Sequence, residues 1–223
     1  LYPKNNDSYH YVSIGKTNKL LYIWEIPYWV EDIKFNSWSI ISSVFNDEGK
    51  YSLETFLKSK GLINYLFTEI LDQGVFILGI DLINDNEKYL SLVNSYVSYF
   101  INNLKLLNWL DISLFNQNNR KIIYDNGSRS NPVDLVNSLA TNCHYYEMND
   151  VLSTSLINHI DEKRIINLID YYLDIDKCFQ LVVSKKEKTV KYKKDKYYFA
   201  KYGKIKKINS DVKKFDFKFE TCN

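Results

Sequence analysis

The stretch Asn46–Ile83, NDEGKYSLETFLKSKGLINYLFTEILDQGVFILGIDLI, decides how the 223-residue chain is read. Asp47-Glu48-Gly49 is a turn, Ser52 is placed to cap a short helix with Leu53, Phe56 and Leu57 on one side, and Gly61 supplies the left-handed residue that stops it. Two extended runs follow, Leu62–Leu71 and Gly74–Ile83. In the second, Phe76, Leu78, Ile80 and Leu82 alternate with Val75, Ile77, Gly79 and Asp81, so one face is solidly apolar and the other only partly so. Such strands suit a sheet covered by helices on one face.

Outward from that stretch, Tyr9–Ile14 and Lys19–Ile26 are predicted strands, joined by a hairpin-like turn at Gly15-Lys16-Thr17-Asn18. After Trp29, a helix is predicted over Phe35–Phe45, with Trp38, Ile41, Val44 and Phe45 at helical spacing and Ser37, Ser42 and Ser43 facing elsewhere. The longest helix is predicted over Glu87–Leu107, capped by Asn84 or Asp85. Its stripe is Tyr89, Leu92, Val93, Tyr96, Val97, Phe100, Leu104 and Leu107. Further helices are expected over Trp109–Tyr124, ended by Asp125-Asn126-Gly127-Ser128, and from the Asn131-Pro132 cap to Cys143, with Leu135, Val136, Leu139 and Ala140 inside. One more, from Asp161 or Glu162 to Leu173, should bury Ile165, Ile166, Leu168, Ile169 and Tyr172, and Cys178–Val183 reads as a strand. Strands in pairs, a block of helices, then strands again predict an α+β fold: two layers, a mostly antiparallel sheet with helices on one face.

Composition bounds the rest. With 45% hydrophobic and 16% aromatic residues the chain has ample material for one core, and it is read as a single domain spanning 1–223. The ends look like domain boundaries, and Leu1 is not a natural start. Cys143, Cys178 and Cys222 show neither CxxC nor metal spacing and cannot all pair, which fits a reduced, cytoplasmic setting. No apolar run reaches the roughly 18 residues needed to cross a bilayer, so no membrane partner is expected. From Lys185 to Lys207, eleven lysines stand against Glu187 and Asp195. That is a local charge of +9 in a chain of net +2, leaving −7 for the remainder.

The motifs along the chain resemble the second domain of insulin-degrading-enzyme-type peptidases, the insulinase or pitrilysin family. They read Glu48-Gly49, Ser52-Leu53, Leu57-Lys58-Ser59-Lys60-Gly61 and Asp81-Leu82 in the central stretch, with Lys19–Ile26 and Pro27 before it. Cys143-His144-Tyr145-Tyr146 falls where that domain has an L-H-Y-Y loop, and Leu181-Val182-Val183-Ser184-Lys185 where it has a late strand. Lys196-Tyr197-Tyr198-Phe199-Ala200-Lys201-Tyr202 is similar to its ending. The resemblance covers nearly all of the chain in order. It implies a metallopeptidase-like domain, an inner part of a larger zinc metalloendopeptidase, whose partners are peptide substrates and the other domains of the same polypeptide.

The family's zinc site is H-x-x-E-H on a helix, two imidazoles one turn apart with a carboxylate between to take the water proton. None of His10, His144 and His159 begins that motif; His144-Tyr145-Tyr146-Glu147-Met148 ends in Met148 where the second imidazole should stand. Cys143 beside His144 does not make a nucleophile pair, because adjacent side chains point apart. No catalytic residue and no cofactor are therefore expected in this chain, and Zn2+ is expected in the first domain of the parent. The resemblance instead implies an exosite in a closed chamber, where the amino-terminal end of a peptide lies along a strand edge. By that transfer Glu48 holds the amine and Leu66, Phe67 and Thr68 form the strand, with Ser43 and Asn46 as neighbours. The chain departs from the family at Ser43 for His, Asn46 for Gly, and Thr68-Glu69 for Gly-Gly. Two other readings stand beside it. Lysines interleaved with Tyr192, Tyr197, Tyr198 and Tyr202 have the composition of a polyanion or nucleic-acid surface, but also of an edge strand with lysines outward. Nucleic acid is not the expected partner. The remaining reading is a structural domain without a ligand.

Overall fold

The computed structural model describes residues 7–13, 15, 17–127, 131–156, 159–196, 199–209 and 213–219, with Trp29 described by its backbone. Parts of the expectations for Leu1, Ile14, Lys16, the Trp29 side chain, Ser128, Tyr197, Tyr198 and Cys222 lie outside the described residues.

The central alternation becomes strands β3 (Ile63–Leu71) and β4 (Val75–Leu82), joined by a turn in which Gly74 has φ +83°. A side chain at Gly74 would come within 2.6 Å of the Ile26 carbonyl oxygen, so glycine is required there by both conformation and space. Phe76, Leu78 and Ile80 are fully buried. Five more strands complete one sheet: β1 (Ser8–Val12), β2 (Asn18–Glu25), β5 (Phe179–Ser184), β6 (Lys193–Lys194) and β7 (Lys201–Ile205). Their order is β3-β4-β2-β5-β1-β7-β6, antiparallel throughout except between β1 and β5.

The expected β1–β2 hairpin does not form, because β5 lies between the two strands, parallel to β1 and antiparallel to β2. Two strand spacings of about 4.8 Å separate them. An extended chain covers that distance in about three residues, so the short connection allows either arrangement. The alternating burial of β5, with Gln180, Val182 and Ser184 inside, suits a central place.

Among the described residues, α1 (Ser37–Phe45), α2 (Leu53–Ser59), α3 (Glu87–Asn103), α4 (Trp109–Asn126) and α6 (Glu162–Tyr172) contribute to the core on the face carrying Leu20, Tyr22, Trp24, Phe76, Leu78 and Val182, and α5 (Pro132–Asn142) does not. Ser52 caps α2 as expected, its Oγ accepting the Thr55 N–H at 3.1 Å, and Gly61 follows the helix at φ +64°. The α3 cap is Asn86, which accepts from the Tyr89 N–H; Asn84, one of the two expected caps, accepts from Asn86 N–H instead. The α3 stripe is rotated slightly from expectation. Leu90, Val93, Val97, Phe100 and Ile101 are buried, while Tyr89, Leu92 and Tyr96 flank them. Ser37, expected outside, is buried, since the chain enters α1 from the buried Asp32, whose Oδ2 accepts the Trp38 N–H.

The largest departure is α5. Asn131 caps it and Pro132 opens it as the sequence indicates, yet no residue of the helix is buried. Leu135 is 45% exposed and Val136 62%. Periodicity reports that a helix has an apolar face without reporting that anything in the same chain covers it.

Candidate peptide-binding edge

β3 is the outermost strand on its side of the sheet. The Leu66 N–H points away from β4, to Glu54 Oε1 of α2 at 3.3 Å. By the alternation of an antiparallel ladder, Thr68 and Ile70 present their main-chain groups outward as well. Among the described residues neither outer N–H has a hydrogen-bond partner. Strand addition by an extended peptide uses groups of this kind.

The six residues singled out from the sequence distribute themselves around this edge. Asn46 and Thr68 meet directly, Asn46 Nδ2 donating to Thr68 Oγ1 at 2.7 Å, and Ser42 Oγ joins them 2.5 Å from the same hydroxyl. Leu66 is a core residue whose N–H is already taken. Phe67 turns to the opposite face, where its ring covers Gly79 and Lys19 Nζ lies 5.8 Å from its centre. Ser43 is directed away from the edge: it donates to the Ile40 carbonyl and accepts from Asn116 of α4. Glu48 sits exposed in the turn after α1, its carbonyl accepting from Thr55 Oγ1.

Glu54 is the residue that the sequence reading missed. It is 3% exposed, and its Oε1 also receives Lys58 Nζ at 2.7 Å. The i,i+4 spacing of Glu54 and Lys58 is legible as a helix pair; that the carboxylate faces inward, onto a strand edge, is not.

Among the described residues, no helix covers the other sheet face. Across it the register aligns Lys204, Tyr9, Leu181, Leu21, Gly79 and Phe67, and beside them Tyr202, Tyr11, Val183, Lys19, Asp81 and Tyr65. Tyr9, Leu21, Leu181 and Val183 are only half-buried, so apolar and aromatic surface faces outward over most of the sheet.

No group of three or more His, Cys, Asp or Glu side chains able to hold a metal occurs among the described residues. Cys143 and His144 are both exposed, at the end of α5 and in the turn after it. Cys178 is buried, donates to the Ile175 carbonyl, and has its thiol pushed up to about 12 by burial, which makes it inert as a nucleophile.

A close Ser–His contact among the described residues is a packing device. His10 is fully buried, with Nε2 2.8 Å from Ser184 Oγ and Nδ1 2.7 Å from Tyr192 Oη, and it ties the lysine-rich segment to the sheet. Burial holds its pKa below the ordinary 6.5, and Lys188 lowers it further. The folded state therefore favours neutral His10. Its contribution to stability is complete above about pH 6.5 and is lost as pH falls through the depressed value. We expect the melting temperature to fall between pH 7.5 and pH 5, and the fall to be smaller in His10→Gln. Identical pH profiles for the two proteins would contradict this role.

The lysine-rich segment forms the other margin of the sheet. Lys201 pairs with Glu187, Lys204 with Asp7 and Lys207 with Asp176. The Tyr192 hydroxyl oxygen accepts the Lys188 N–H and is hydrogen-bonded to His10 Nδ1, which holds the side chain against the sheet.

The described elements form an α+β sheet domain with an open edge, and comparison with known proteins finds similar domains. Residues 124–219 match the model described as the middle or third domain of peptidase M16. Pitrilysin has a similar fold, with a TM-score of 0.76 at 17% identity over 92% of this chain and 22% of its own. The inactive peptidase domain of a zinc protease from Bordetella parapertussis gives 0.57 at 12% identity over 81% of this chain and 97% of its own. The peptidase M16 inactive domain from Pseudomonas fluorescens gives 0.56 at 14% over 83% and 45%. No curated protein matches. Residues 124–219 are thus similar to an M16 peptidase domain, and the fold is that of the domains named; the chain spans about a fifth of the length of pitrilysin.

Proposed function

We propose that this is a non-catalytic domain of a multidomain M16 peptidase, an inner, second domain that forms chamber wall and binds peptide by strand addition. The observation that carries the reading is a sheet that, among the described residues, has helices on one face only and the outer N–H groups of Thr68 and Ile70 unpaired at its β3 edge. A half-apolar sheet face suits a surface along which peptides of varied sequence lie, and main-chain hydrogen bonding is indifferent to side chains. Hydrolysis belongs to a zinc-bearing domain elsewhere in the parent polypeptide. The acid carried over from the family resemblance as the amine anchor is Glu48.

The test is titration of the 223-residue chain with a fluorescent peptide and with the same peptide N-methylated on alternate backbone amides. The unmodified peptide should bind weakly and the methylated one about tenfold more weakly, the cost of one or two main-chain hydrogen bonds. Equal binding would exclude strand addition. A Glu48→Gln variant, read with free and acetylated peptides, tests the anchor. Binding of RNA or polyphosphate that collapses with salt, without peptide binding, would favour the lysine segment instead.

A further inference from the structure

Resting on the strand-addition reading, we infer that the cavity at the Ile70 end of the β3 edge is a side-chain pocket that selects a carboxamide, and by size a glutamine, on the bound peptide. The cavity holds about 190 Å3 between the start of α1 and the turn after β3, with Trp38, Ser39, Ile70 and Tyr146 among its walls. Thr68 turns its hydroxyl to Ser42 and Asn46 of α1, so Thr68 and Ile70, two residues apart on β3, present their side chains on the helix side of the edge. A residue paired with Ile70 on an added strand projects on the same face, its Cβ about 5 Å away. Its side chain therefore meets the cavity.

The polar groups there define what can fill it. Trp38 is 3% exposed, and its Nε1 has no hydrogen-bond partner among the described residues, although a buried N–H without an acceptor is destabilising. Ser39 Oγ accepts from Arg120 Nη2 at 2.7 Å, which leaves the Ser39 proton to donate. Both donors call for an oxygen. Two carboxylates also line the cavity, Asp32 buried in the wall and Asp72 exposed in the turn, so a third carboxylate is repelled and an N–H is accommodated. Lysine and arginine bring donors only, and ionised glutamate brings acceptors only; a carboxamide brings both without charge. A serine hydroxyl does so too, but it is too small to fill the space.

Host peptides of one sequence, carrying Gln, Met or Glu at each position in turn and titrated against the chain, test the inference. At one position Gln should bind about fivefold to tenfold more tightly than Met, the worth of about one net hydrogen bond, and Glu more weakly than either. Trp38→Phe keeps an aromatic ring and removes the N–H, so it should narrow the preference for Gln and leave the Met peptide unchanged. Asp72→Asn, at an exposed turn position away from the core, should narrow the gap between Gln and Glu. A Gln preference that survives both variants would overturn the assignment. If Gln and Met bind alike at every position while backbone N-methylation still weakens both, the pocket falls and strand addition stands. If the Gln preference is lost in Trp38→Phe but N-methylation has no effect, the cavity selects glutamine without strand addition. If no peptide binds, both readings fall together.

Discussion

Phe76→Ala is expected to lose about 3–5 kcal/mol of stability, enough to leave the chain largely unfolded well below the melting temperature of the parent. Phe76 is fully buried on β4, and three rings converge on it: Trp24 at 6.0 Å, Trp38 at 5.7 Å and Phe45 at 5.7 Å between centres. It is the point where two strands and α1 share one contact. Removing the ring forfeits its transfer free energy and leaves a cavity that neighbours held on β2 and α1 cannot collapse to fill. Urea unfolding followed by tryptophan fluorescence would measure the loss, since Trp24 and Trp38 both border the site. A shift of less than about 1 kcal/mol would mean that the core repacks in a way this geometry does not allow.

Asp32→Ala should come next, at about 3 kcal/mol, the lower end for a broken buried pair because Arg164 is 29% exposed at its side chain. Asp32 itself is 5% exposed and joins three elements: Oδ2 accepts the Trp38 N–H at the start of α1, and Oδ1 accepts Arg164 Nε of α6 at 3.1 Å. Arg164 also donates to the Glu31 carbonyl and lies 4.5 Å over the Phe35 ring. Alanine leaves both the helix N-terminus and the guanidinium without their acceptor. Asp32→Asn keeps an acceptor for Trp38 N–H and should lose visibly less. If the two variants melt together, the charge pair contributes all of the effect and the cap none.

The central stretch was legible for simple reasons. Ser52, Gly61 and the Phe76–Leu82 alternation each act through neighbours within a few residues, so local rules specify them. The motifs around Glu48 and Leu57–Gly61 carried the family resemblance in the sequence, while the family model matches residues 124–219. The place of β5 was not legible, because a short connection is compatible both with a hairpin and with two strands flanking a third. Nor was the site fully readable. Ser43 and Thr68 share a motif-level relation in sequence, yet helical rotation directs Ser43 to Asn116 and leaves Ser42 and Asn46 to meet Thr68. The i,i+4 spacing of Glu54 and Lys58 does not tell that the Glu54 carboxylate faces inward onto a strand edge.

Local patterning thus specified the elements, their caps, the α+β order and the lack of an H-x-x-E-H motif, since each depends on residue spacing alone. Tertiary packing decided which strand lies between β1 and β2, which acid reaches the open edge, and that the apolar face of α5 stays uncovered. The physical reason is the same in all three: an amphipathic pattern states which face avoids water, and only the other elements of the fold determine what meets it.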